Sequence, residues 1–462
     1  MQTQYEIQGE VRSTTTQPKR TIALIAWGDV WDDFLDSIGV SLETFCKDGP
    51  GGWMLGYMDA LRLAGVRTVL VLISARVTAP SRFPHAPTGA TILVLPAPKG
   101  YRAIRRWTNI PNPYLSKNAQ ELSDKAQNGS LNHKILRLAA PYLSTPLGLL
   151  AQELRRENCS AILCQDYEAP RFDACVGLGK LMGLPVFASF QGGYFDPNRL
   201  GRWLRPLTMK ACAGLIIGSQ TEIQRVRDRY RLQPSRIAQI FNPIDLGLWN
   251  ASDRHEARAS LGLPSEALVV VWHGRIELHT KRLDILLDAW KKICAKRPEQ
   301  DLRLLLLGTG QDAEKLRQCI AELPIQNVIW MDKYATDRTE IRRFLSVGDV
   351  YAFPSVLEGF PVAPIEAMAC GLPVVAAAAS GVPDILKDGE TSGGLIVPCG
   401  EVGAFTLALS RILDNHALRC ELGQLARRRV EEAFSLEVVG KQLLDFCLSA
   451  GVSLANIDCT ND

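Results

Sequence analysis

Short runs of Val, Ile and Leu alternate with stretches of helical period along most of this chain, and the alternation restarts after Phe241-Asn242-Pro243-Ile244-Asp245. Apolar runs bounded by turn residues suit strands buried on both faces, and the helical stretches between them suit the crossovers of a parallel sheet. In the first half, 21–27, 68–73, 91–95, 161–164, 186–189 and 214–218 are predicted strands, with helices at 52–64, 147–158 and 220–230. The second half repeats the rhythm with strands at 268–273, 302–307, 328–331, 350–354, 374–377 and 394–397, and helices at 282–294, 312–321, 338–346 and 364–370. Two stretches interrupt it and read as long loops: 28–51, which carries Asp29, Asp32, Asp33 and Asp36, and the polar 109–132. Loops of that length tend to be functional.

A length of 462 residues exceeds what one hydrophobic core serves, so the expected architecture is α/β with two facing doubly wound domains. The boundaries read as a disordered leader at 1–20, a first domain at 21–245, a second at 246–432, and a terminal helix with tail at 433–462 that crosses back to the first domain. Two such domains leave a cleft, and in open α/β sheets ligands sit beyond the carboxyl ends of the strands.

Composition excludes several classes. Apolar residues are 47% and charged residues 22%, the balance of a globular protein, and no apolar run reaches the ~18 residues of a spanning helix. The first twenty residues have no apolar core of an export signal. Twelve cysteines occur without a C-x-x-C pair, which suits buried thiols in a reducing, cytoplasmic compartment. The net charge of +3 is unevenly spread: 29 Lys+Arg face 20 Asp+Glu up to Asp245, and 23 face 29 beyond it. A basic first half favours an anionic acceptor or membrane surface. Segments 101–107 and 199–210 interleave cations with Trp and Leu, so peripheral membrane contact is an open expectation, whereas no nucleic-acid partner is expected.

Charged residues gather at predicted strand ends of the second half. Gly274-Arg275 follow one strand, and Lys281-Arg282 are predicted to open the next helix, a pair of cations that can bracket a diphosphate together with the helix dipole. Gly308-Thr309-Gly310 with Ala313 spells G-x-G-x-x-A after a strand, with Asp332 some twenty residues on, the outline of a dinucleotide fingerprint. The densest segment is Phe353 to Val375. There Glu358-Gly359-Phe360-Pro361-Val362 form a loop and Glu366 falls in the first helical turn. A loop carboxylate can accept from sugar hydroxyls, and one near a helix start can take the two hydroxyls of a ribose.

On the motifs Asn242-Pro243-Ile244-Asp245, Gly274-Arg275 with Lys281, Gly308-Thr309-Gly310, the Glu358-x7-Glu366 pair and Ser380-Gly381-Val382-Pro383-Asp384, residues 240–440 resemble the family-four retaining glycosyltransferases. The resemblance implies the GT-B fold, two facing Rossmann-like domains. It also implies transfer of a hexose from a UDP-, GDP- or ADP-sugar to an acceptor hydroxyl, with the nucleotide sugar as co-substrate and no other cofactor. By resemblance, Arg275, Lys281 and Glu358 are the catalytic set. Gly274, Arg275, Lys281, Gly308, Tyr334, Glu358, Gly359, Phe360, Pro361, Val362 and Glu366 form the donor site, and Gly51, Gly52 and Gln191 lie on the acceptor side. Gln191 stands where the family commonly has His and cannot carry a proton. Asp384 replaces the usual Glu, and Asp332-Lys333 stand where Gly is frequent.

No D-x-D sits at a strand end; Asp29, Asp32 and Asp33 could imitate one but more simply order their loop, so metal independence is expected. Three other readings stay open: an NAD-dependent oxidoreductase using Gly308 to Ala313, a sugar-nucleotide epimerase of the same fold, and a non-catalytic sugar-nucleotide-binding protein.

Overall fold

The computed structural model describes residues 21–26, 28–48, 52–107, 136, 139–190, 192, 199–325 and 327–452. The first domain is built on an eight-stranded sheet: β1 (Thr21–Ile25), β2 (Arg67–Ser74), β3 (Ser81–Pro84), β4 (Thr91–Pro96), β5 (Cys159–Cys164), β6 (Val186–Ser189), β7 (Gly214–Ile216) and β8 (Ile237–Ala238). Their spatial order is β3-β4-β2-β1-β5-β6-β7-β8, parallel throughout except for the β3/β4 hairpin. Every residue of β1 is buried, as a strand covered by helices on both faces must be.

Successive residues of this sheet feed different cores. Leu24 and Leu163 face the helix Gly52–Leu63, whereas Ile25 and Cys164 face the helix Pro170–Met182. The latter helix was not predicted. Its Arg171, Phe172, Asp173, Cys175 and Val176 are all buried, so it has no polar stripe to give it a period.

The second domain holds β9 (Leu268–His273), β10 (Leu302–Leu307), β11 (Val328–Met331), β12 (Val350–Phe353), β13 (Val374–Ala377) and β14 (Gly394–Val397), in the wholly parallel order β11-β10-β9-β12-β13-β14. Val269 and Val271 of β9 face one core while Val270 and Trp272 face the other. With β9 counted first, the order is that of a dinucleotide-binding sheet, and its direction reverses between β9 and β12.

The chain passes between domains at Ile244, whose N–H donates to Phe434 O at 2.7 Å. Ser435 then caps the last helix, Leu436–Ser449, by accepting from Val438 N. That helix lies on Gly52–Leu63 of the first domain, so closely that a Cβ on Gly440 would meet Ala60 O at 2.1 Å.

The predicted loop at 28–51 is largely helical in its described part, with a π-helical turn Val30–Leu35 and a helix Leu42–Asp48. Its acids, expected to order the segment, do so by pairing with Arg76, Arg105 and Arg171. The predicted leader at 1–20 and the whole of the predicted loop at 109–132 lie outside the described residues.

Candidate active site

Crossovers leave β9 and β12 in opposite directions, which opens a crevice beyond their carboxyl ends. Around it the fold places Gly274 and Arg275 after β9, Lys281 at the end of the short helix Leu278–Lys281, Glu358 and Gly359 after β12, and Glu366 in the helix Ala363–Ala369. Lys281 Nζ donates to Glu358 Oε1 at 2.6 Å, and Val356 N donates to Thr280 O at 2.9 Å, so the two segments are tied together. Arg275 touches Glu277 through Nε at 3.0 Å, yet 54% of its side chain is exposed, leaving guanidinium donors for a ligand. Tyr334 shares the electrostatic field of Arg275 and Glu366, and burial raises its phenol above the ordinary value.

Lys281 and Arg282 stand at the joint between two helices. Lys281 ends one, and Arg282, at φ 48°, is the left-handed joint before Leu283–Ala295. The amino end of Leu283–Ala295 thus begins two residues beyond Lys281, with Arg282 as its cap residue. The resemblance implies a donor contact for the backbone at Phe360, and the side chain has a task of its own. Its ring is buried against Phe241 (5.2 Å, stacked) and Phe434, and Cβ atoms on Gly218 and Gly381 would meet it at 2.7 and 3.0 Å, so it plugs the seam between domains. Pro361 and Val362 continue into the cap of the Glu366 helix, with Glu366 N donating to Val362 O at 3.0 Å.

His273, the last residue of β9, was missed. Its Nε2 lies 2.8 Å from Glu366 Oε2, its carbonyl accepts from Tyr351 Oη at 3.2 Å, and its Nδ1 is buried with no partner. One carboxylate oxygen of Glu366 is thus held from behind, as a metal-ligating side chain is held by its outer shell.

The glycine pattern at Gly308 is filled by the protein itself. A Cβ on Gly308 would stand 1.8 Å from Gly274 O, one on Gly310 would stand 2.3 Å from Ile276 O, and Gly308 O already accepts from Trp330 Nε1 at 2.9 Å. Asp332, the acid a dinucleotide ribose needs, pairs with Arg317 at 2.6 Å. These glycines let the β10 loop pack on the β9 loop, backbone against backbone.

On the facing domain, Gly52 starts its helix, while Gly51 and Gln191 lie outside the described residues. Gly192 is described: a Cβ there would stand 2.7 Å from Gly359 Cα, so the loop after β6 meets the loop after β12 backbone to backbone. Asp29 accepts from Tyr101 Oη at 2.8 Å, Arg105 at 2.7 Å and Arg171 at 2.9 Å; Asp33 pairs with Arg105, and Asp32 with Arg76 and Ala75 N. These acids anchor the segment after β1. Among the described residues, no group of three or more His, Cys, Asp or Glu is placed to hold a metal ion.

Two further groups at the β5 end carried no sequence signal. Gln165 is 1% exposed, and neither of its amide atoms has a partner, although its backbone is bonded to Ile25 O and to Ser189 Oγ. A buried amide with four unmet bonds calls for a polar ligand or water. The neighbouring Asp166 accepts from Glu168 N at 2.7 Å, and burial pushes its carboxyl up to about 7.

Comparison with known proteins matches this arrangement. A family model described as glycosyl transferases group 1 matches residues 267–415, which span β9 to β14 and every donor-side residue named above. Sucrose-phosphate synthase from Thermosynechococcus elongatus superposes with a TM-score of 0.64 at 19% identity, covering 92% of this chain and 98% of that one. The Anabaena protein HepE, solved in complex with UDP-glucose, superposes with a TM-score of 0.59 at 17% identity, over 93% and 99%.

The chain has the GT-B fold.

In sequence, this GT-B chain is similar to D-inositol 3-phosphate glycosyltransferases. The one from Nocardioides is 32% identical over 251 residues, 51% of this chain and 54% of the relative, and the one from Mycobacterium marinum is 32% identical over 209 residues, 44% and 42%. The chain therefore spans about half the length of the curated relatives it matches. The architecture expected from the sequence, two facing Rossmann-like domains, is borne out.

Proposed function

We propose that this chain transfers a hexose from a nucleoside-diphosphate sugar to an acceptor hydroxyl with retention at the anomeric carbon. The observation that carries the reading is the convergence of Arg275, the Lys281–Glu358 pair at 2.6 Å and the His273-backed Glu366 on one crevice between β9 and β12. Read along that crevice, Glu366 takes the ribose, Arg275 and Lys281 take the diphosphate, and Glu358 with the backbone at Gly359 orients the sugar. Anabaena HepE, solved with UDP and with UDP-glucose, makes UDP-hexoses the first donors to test. The names of the relatives and the basic first half direct the acceptor search to phosphorylated polyols.

In the proposed step the acceptor oxygen bonds to the anomeric carbon on the face the diphosphate leaves. The bond from that carbon to the phosphate oxygen breaks, and the acceptor proton passes to the departing phosphate. No protein base is obligatory, which suits Gln191. Negative charge grows on the diphosphate, so donors aimed there matter most, each worth ~2.7–4 kcal/mol in sites of this kind. Lys281→Ala is expected to lower the transfer rate by about a hundred- to a thousandfold; rates near wild type would remove Lys281 from the role. Metal independence remains part of the proposal because the candidate acids are committed to arginines, and full loss of transfer in EDTA contradicts it. The filled space at Gly308 speaks against the oxidoreductase reading. Product formed without an acceptor would identify an epimerase, and donor binding with neither transfer nor hydrolysis would identify a binding protein.

A further inference from the structure

The helix Arg199–Ala211 is inside out. It packs on Pro170–Met182, and the residue it buries there is a cation: Arg205 is 2% exposed, donates to both carboxylate oxygens of Asp173 at 2.9 Å and to the carbonyls of Tyr167 and Ala169, and lies over the Phe172 ring. Thr208 Oγ1 adds a bond to Asp173, and Met209 fills the core beside them. The opposite face is apolar. Leu200, Trp203 and Leu207, at the spacing that aligns side chains along a helix, are 41%, 79% and 60% exposed. Arg202 and Lys210 are exposed as well, and the helix has no acid.

The setting extends this pattern. The helix Lys99–Trp107, the turn Ala140–Leu143, the helix Leu147–Arg156 and the helix Pro170–Met182 roof the same sheet face, sharing one core through Tyr101, Ala140, Leu150, Phe172 and Met209. Of the eleven large apolar side chains that stand well exposed among the described residues, seven belong to this layer, so the exposure is concentrated rather than scattered. The Lys99–Trp107 helix is again free of acids and ends in Arg105 and Arg106.

We propose that the outward face of Arg199–Ala211 docks on an anionic lipid bilayer, with Trp203 and Leu207 entering the headgroup layer and Arg202 and Lys210 lying at lipid phosphates. A narrow apolar stripe flanked by cations suits shallow interfacial insertion. Three apolar side chains on one helix are few for a stable protein interface, which buries ~800 Å² per partner. A second copy fits poorly too, because a two-fold contact sets this basic patch against itself. The proposal is independent of the sugar-transfer reading.

The test is flotation of the full chain at physiological salt with phosphatidylcholine vesicles, with and without phosphatidylglycerol. The chain should float only with the anionic vesicles. Trp203→Ser combined with Leu207→Ser should lower the bound fraction about tenfold, and Arg202→Gln combined with Lys210→Gln about fivefold or more. All four side chains are exposed, so unchanged circular dichroism and melting temperature are expected of both variants. A wild-type chain left unbound by anionic vesicles, or a Ser variant that floats as well as wild type, overturns the proposal. So does equal flotation with neutral vesicles, or a dimer in light scattering that the Ser variant dissociates.

Discussion

Arg275, Lys281, Glu358 and Glu366 could be named from the sequence because each belongs to a spaced motif, whereas His273 and Gln165 could not, because a lone His or Gln at a strand end has no pattern around it. Their significance comes from partners far along the chain. His273 reaches Glu366 across 93 positions, and the bond exists only because β9 lies beside β12. A hydrogen bond to a charged group is worth ~1.5–3 kcal/mol. His273→Phe is therefore expected to raise the donor KM about tenfold while leaving kcat nearly intact, and His273→Gln, which can return an amide N–H to Glu366, should recover most of it. Steady-state kinetics with the preferred donor decides this, and an unchanged KM in the Phe variant excludes His273 as a positioning residue. Gln165 lies in the other domain, at the end of β5, with its amide unpartnered. If its empty amide takes an acceptor hydroxyl, Gln165→Leu raises the acceptor KM about tenfold or more and leaves donor hydrolysis unaltered; equal effects on both rates would show a general disturbance of the β5 end.

At the scale of elements, local pattern identified the long parallel strands, and tertiary charge pairing decided the segment after β1. A stretch with Asp29, Asp32, Asp33 and Asp36 reads as loop until Arg105 and Arg171, from helices 76 and 142 positions away, are brought against Asp29. Neutralisation is incomplete at Asp33, whose carboxyl burial raises from 3.8 to about 6. The folded chain thus binds that proton more tightly than the unfolded chain. Its contribution to stability is fully present below the unfolded value, is lost as pH rises through about 6, and is constant above that. Asp33→Asn should remove this decline, so that relative to wild type it gains stability between acid and neutral pH, by at most about 3 kcal/mol. Urea unfolding at the two ends of the window measures it, and a constant difference between variant and wild type refutes the assignment.

For the whole molecule, the two domains meet through small contacts surrounding one large one. Phe360 fills the seam, Ser219 Oγ lies 2.9 Å from Ser380 Oγ, and Asp384 accepts from Gln220 N at 3.1 Å and from Gln239 Nε2 at 2.7 Å. Asp384 thereby caps a helix of the opposite domain, a use to which its shorter side chain is put where Glu is more usual, and burial raises its carboxyl above the ordinary value. Asp384→Ala should weaken the contact by roughly 1.5–3 kcal/mol and increase the radius of gyration of the unliganded chain in small-angle scattering. An unaltered scattering profile would assign the domain arrangement to Phe360 and the returning helix Leu436–Ser449 alone.

By itself the sequence determined the alternation of strand and helix, hence two doubly wound sheets, and the motif residues of the crevice, because strand burial and helical period are properties of neighbours within a few positions. Only the tertiary structure decided that Lys281 pairs with Glu358, that Gly308 packs on the Gly274 carbonyl, that the Phe360 ring fills the seam, and that Arg205 is buried while Trp203 is exposed. Each of these depends on which strand ends and helix faces come together. That choice is made by sheet order and packing over tens of residues, where a single chain carries no local periodicity to read.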